Sequence, residues 1–138
     1  MNRSLIAFYV GSIAFVLYGV GHSLGYASGR AEDREKEFVK VLRSTPAEMP
    51  GVSKSRFDLY EGYSWMTGLM PLAFGLLNLV LVRVAPQLVV SSRPLLAVNL
   101  LVALAVALMA WRFFFAPPLS LAALAALAFL LGLVWAGG

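Results

Sequence analysis

The chain has no cysteine, a single histidine and few charges, with only 13% of its 138 residues charged. Without cysteine there is no disulfide, no thiolate nucleophile, no iron–sulfur ligation and no haem attached through sulfur. One histidine, His22, excludes bis-histidine haem ligation within one chain. With Asp58 or Glu61 it makes too few ligands for a closed zinc site, so neither metal nor cofactor is expected. Acids are confined as well: all seven lie between Glu32 and Glu61. Seven of the eleven cations lie between Arg30 and Arg56, and no aromatic residues interleave a basic patch, so the net charge of +4 does not describe a nucleic-acid face. The sequence also lacks a glycine-rich phosphate loop, a G-x-S-x-G elbow and an H-E-x-x-H helix.

What the chain does have is apolar length. Hydrophobic residues make up 60% of it and its mean hydropathy is +0.81, far from the balance of a soluble globule. Its length fits one domain. Four apolar runs, at about residues 5–27, 59–83, 94–112 and 119–136, alternate with polar segments, the longest of which is about 28–57. A helix rising about 1.5 Å per residue crosses a hydrocarbon core of about 30 Å with runs of this kind. The expected fold is all-α: an integral membrane four-helix bundle with a short amphipathic surface helix between spans 1 and 2, and both termini on one side. Arg3 resembles the n-region of a signal peptide, and Tyr26-Ala27-Ser28-Gly29 offers a small-residue exit. The first run is longer than a usual leader core and is read as a retained span.

Residues 30–48 read as a short helix with a solvated face and with Phe38, Val41 and Leu42 on one side. Pro46, Pro50 and Gly51 make the following stretch a turn-rich connector. Ser55-Arg56-Phe57-Asp58 has capping-box spacing, with Asp in place of Glu, and marks a helix start. Pro71 removes a backbone donor inside the second span and predicts a kink. Residues 85–93 read as a short loop.

Orientation rests on opposing signals. The loop side carries eight Lys and Arg and the terminal side three, Arg3, Arg83 and Arg93, which favours a cytoplasmic loop. The seven acids in that loop and the short tail bearing Arg3 argue the other way. The expectation adopted is a bacterial inner membrane with cytoplasmic termini.

Antiparallel spans bring His22, Ser23 and Tyr26 to the depth of Asp58, Glu61, Tyr63, Trp65 and Arg112. Ionisable groups near hydrocarbon are costly and usually paired. The expected ligand-binding set is therefore His22, Tyr26, Asp58, Glu61, Trp65 and Arg112, a polar pocket at one mouth of the bundle. In it the imidazole meets Glu61 or a ligand amine meets that acid, and Arg112 balances the charge. The competing reading places the same groups at headgroup level, solvated, with Tyr and Trp as the ordinary aromatic belt. The position of both acids at the start of a helix favours that second reading. For helix packing the sequence offers Gly21, Gly25 and Gly29 on one face of the first span, and Gly68 and Gly75 on the second. Asn78 and Asn99 add an expected hydrogen bond between the second and third spans.

His22 and Gly25 at the end of the first span, a charged loop, and then Phe57, Asp58, Tyr60 and Gly62 form a pattern over roughly half of the chain. It resembles a family of small bacterial four-helix membrane proteins without an assigned activity, and more distantly the DoxX-like and emopamil-binding-like bundles. The resemblance implies architecture. In the emopamil-binding-like group it also implies acids inside the bundle that meet a ligand amine or sterol, whereas the third and fourth spans here carry no acid. Three functions follow. The preferred one is a non-catalytic packing or accessory subunit, joined through its glycine faces to itself or to other membrane subunits in the lipid bilayer. The others are a binding protein for a lipophilic ligand and an enzyme acting on a lipid or quinone-like substrate.

Overall fold

A chain segment in hydrocarbon must satisfy its backbone polar groups internally, and a helix does so within a single run. The computed structural model describes residues 2–33, 36–51, 53–114 and 116–136, and these fold into six helices. They are α1 (Arg3–Asp33), α2 (Glu37–Ser44), α3 (Arg56–Val84), α4 (Pro86–Ser91), α5 (Arg93–Phe113) and α6 (Ala116–Trp135). Four of them contain segments long and apolar enough to cross a membrane: Arg3–Gly29, Arg56–Val84, Arg93–Phe113 and Ala116–Trp135. The fold is an all-α four-helix bundle, and the chain is built as a multi-pass membrane protein.

The helices are longer than the apolar runs that predict them. Nothing between Gly29 and Asp33 breaks a helix, so α1 continues beyond residue 27 into the segment expected to be loop. The charged stretch is consequently divided between the end of α1 and α2. Arg34, Glu35 and the side chains of residues 30–33 within it lie outside the described residues. On α2 the three residues expected on one side separate. Val39 is buried and Leu42 half-buried where α2 meets α3, while Phe38 and Val41 stay exposed. The expected loop at 85–93 contains α4. Pro86 occupies its first turn, where the missing N–H costs nothing, and Val89 buries completely.

The connector doubles back on itself: Ala47 N–H donates to Lys54 O (2.7 Å) and Arg56 N–H to Thr45 O (2.9 Å), around a turn at Gly51 with φ +75°. It delivers Ser55 to the start of α3, where Ser55 N–H donates to Asp58 Oδ2 (2.8 Å) and Asp58 N–H to Ser55 Oγ (3.2 Å). This reciprocal pair satisfies donors that a helix start leaves orphaned. Arg43 lies 4.5 Å from the centre of the Phe57 ring and ties α2 to the same corner.

Across the bundle α1 packs on both α3 and α6, and α5 packs on α6. The terminal-side half is tightly filled. Phe8 and Phe129 meet edge to face at 5.6 Å, Phe15 meets Phe74 at 5.5 Å, and Leu96 is fully buried beside them. A Cβ on Gly11 would lie 2.7 Å from the Phe129 ring. Here Asn78 Nδ2 donates to Asn99 Oδ1 between α3 and α5, the contact expected from the sequence, and Asn99 Nδ2 donates to Leu95 O (2.9 Å). Both side chains are buried.

Candidate functional site: a cleft between two splayed helices

Toward the loop side α3 and α5 diverge, leaving a cleft of about 1360 Å³ between them, with α1 at its back and the start of α6 at one edge. Beside the cleft, close approach is between α3 and α1. A Cβ on Gly75 would lie 2.7 Å from Ser12 O and 2.8 Å from Val16 N, and a Cβ on Gly68 would strike Ser23 Oγ. A Cβ on Gly19 would lie 2.5 Å from Gly68 O. These contacts hold α3 against α1. Pro71 stands in the same part of α3, buried, and leaves the Thr67 carbonyl without its helical donor.

The glycines read as a packing stripe behave differently. A Cβ on Gly21, Gly25 or Gly29 would meet nothing within 4 Å, so within the chain they pack against no helix. Gly21 and Gly25 instead line the cleft. The close approach on α1 uses Ser12, Val16, Gly19 and Ser23, spaced by four, three and four. Gly21, Gly25 and Gly29 leave open the face on which the sequence reading places contacts with other subunits or a second copy.

The wall combines aromatic and methionine side chains, among them Tyr18, Tyr63, Phe113, Met66, Met70 and Met109. Tyr63 is 67% exposed, Met70 61% and Phe113 69%, so the cleft opens sideways along the edge between α3 and α5. Flexible thioethers adapt to irregular apolar shapes. The polar element is His22. Its Nε2 lies 3.1 Å from the backbone carbonyl of Ser64 on α3. The imidazole stacks on Tyr18 (6.4 Å, 11°) and takes the edge of Phe114 (5.5 Å, 88°). Two helices and an aromatic pair thus fix one ring.

Of the six residues expected to form a binding set, His22 and Tyr26 line the cleft and four do not. Asp58 is exposed and its carboxylate is engaged by Ser55 in the helix cap. Glu61 is half-buried on α3, off the wall. Trp65 packs edge to face on Tyr26 at 5.5 Å, supporting the wall from behind. Arg112 is exposed and lies over the Phe113 ring at 5.5 Å. The polar pocket expected from the sequence is therefore an apolar cleft with one imidazole, and no Asp, Glu, Lys or Arg is among its described lining residues. No group of three or more metal-ligating side chains occurs among the described residues. Compared with known proteins, the chain matches no family model, no curated protein and no solved structure.

Proposed function

We propose that this multi-pass membrane protein binds an uncharged lipophilic molecule in the cleft between α3 and α5. One observation carries the reading: about 1360 Å³ of membrane-depth space is bounded by aromatic, methionine and aliphatic side chains, with no charged residue on the described wall. Small-molecule pockets usually hold about 300–1,000 Å³, so this cleft has room for a lipid-sized guest. Burying an unpaired charge against such a wall is costly, which selects neutral guests. A single imidazole with phenols around it offers hydrogen bonds. No carboxylate, Lys or Arg joins it among the described lining residues, which favours a binding role over a catalytic one. The protein's place in this reading is a bacterial inner membrane, with cytoplasmic termini.

A second reading has its own support. The open space over Gly21 and Gly25 admits a backbone, so a helix of another membrane subunit, or of a second copy, fits the same cleft. Native mass spectrometry of protein released gently from its own membrane separates the two. A ligand-binding protein carries a co-extracted small molecule that disappears in Gly25→Phe, which fills the cleft. A stoichiometric second polypeptide, displaced by the same substitution, would overturn the ligand reading in favour of an accessory subunit.

A further inference from the structure

The cleft also carries information about the head of its guest, because the protein fixes the hydrogen-bonding polarity of His22. The partner of Nε2 is the main-chain carbonyl of Ser64, 3.1 Å away. A carbonyl oxygen can only accept, so Nε2 bears the proton. A neutral imidazole has one N–H, and its other nitrogen is then a lone-pair acceptor. The Nε2 contact is the one hydrogen bond of the imidazole among the described residues, and the half-buried ring leaves Nδ1 accessible. Tyr18 on one face and Phe114 at the edge hold the ring in this orientation.

The two aliphatic hydroxyls on the wall are engaged elsewhere, and the Tyr18, Tyr60 and Tyr63 phenols make no hydrogen bond to that nitrogen. Ser64 Oγ donates to Tyr60 O and Thr67 Oγ1 donates to Tyr63 O, each at 2.8 Å, so both donors are turned back on their own helix. A guest hydroxyl in the cleft can supply that donor. An ammonium would bring its charge to a wall without a carboxylate, and an ester, ether or ketone brings no donor at all. Resting on the reading of the cleft as a lipophilic site, we infer that its ligand is a lipophilic alcohol whose hydroxyl donates to Nδ1 of His22. The hydrocarbon body lies along Met66, Met70, Val106 and Met109.

The test uses the full chain in lipid nanodiscs and two probes, pyrenyl-dodecanol and its methyl ether, which differ only in the donor. Binding is followed by energy transfer from the protein's tryptophans to pyrene. The alcohol is expected to bind about fivefold more tightly than the ether, the worth of one ordinary hydrogen bond. His22→Phe keeps a ring but loses the acceptor, and should bind both probes equally. His22→Asn puts an amide oxygen near the position of Nδ1 and should keep the preference. Equal affinity of the native protein for both probes, or a preference that survives His22→Phe, overturns the inference. The wild-type ratio decides even if a variant fails to fold. Gly25→Phe tells the two levels apart. Equal saturable binding of both probes, abolished in that variant, removes the alcohol inference and leaves the lipophilic cleft standing. No saturable binding of either probe removes both.

Discussion

At the scale of single residues, the bundle depends on a few polar contacts placed where lipid offers no alternative partner. Asn78 and Asn99 are the clearest, since they pair with each other while buried between α3 and α5. Asn78→Leu removes the donor and leaves Asn99 Oδ1 buried without it. An unsatisfied buried acceptor costs about 1–3 kcal/mol, and that loss should appear as a lower midpoint in detergent-titrated unfolding. Asn78→Leu with Asn99→Leu should recover part of it, because no orphan remains; a double variant worse than the sum would show that the pair is not the relevant contact. This pair was readable from the sequence because two lone amides stood at matching depths in adjacent apolar runs. The acids were harder. Asp58 has two possible employments in the sequence, a cap and a binding group, and the geometry of Ser55 assigns it to the cap. His22 was recognisable as a polar intrusion in hydrocarbon, but its partner, a main-chain carbonyl of Ser64, has no side-chain signature.

At the scale of elements, the approach of α3 to α1 is set by glycines that have no room for a methyl group. Gly75→Ala would press a Cβ against Ser12 O and Val16 N, both backbone atoms that cannot swing aside. Overpacking of this kind costs about 1–3 kcal/mol. Gly25→Ala meets open space and replaces a poor helix former, so it should be neutral or stabilise by up to about 1 kcal/mol. Thermal unfolding of the two variants side by side tests the assignment, and equal effects would refute it. The four spans were legible because long apolar runs are almost sufficient to define a membrane helix. Their ends were less so: α1 runs on through Ala31 to Asp33, and α4 forms where Pro86 and the two serines suggested a loop. The cleft itself was not legible, because it depends on how four helices meet, and a spacing of four on one helix does not name its neighbour.

At the scale of the whole molecule, the absence of cysteine makes topology directly measurable. Ser53→Cys in the connector and Ser91→Cys at the end of α4 give single labelling sites with no background. In sealed vesicles they should react with an impermeant maleimide from opposite faces, Ser91→Cys from the cytoplasmic one; labelling of both from the same face would contradict the four-span path. The cleft occupies the half of the bundle nearer the connector and opens between α3 and α5, on the apolar flank of the bundle. If the proposed lipophilic guest binds there, it arrives by lateral diffusion within one leaflet, and its rivals for the site are the lipids of that leaflet. Occupancy then follows the guest's mole fraction in that monolayer and hardly depends on its concentration in water. On that proposal the protein would register the composition of one side of a membrane, and any process that moves lipids across the bilayer would change its loading without changing the total amount of ligand present.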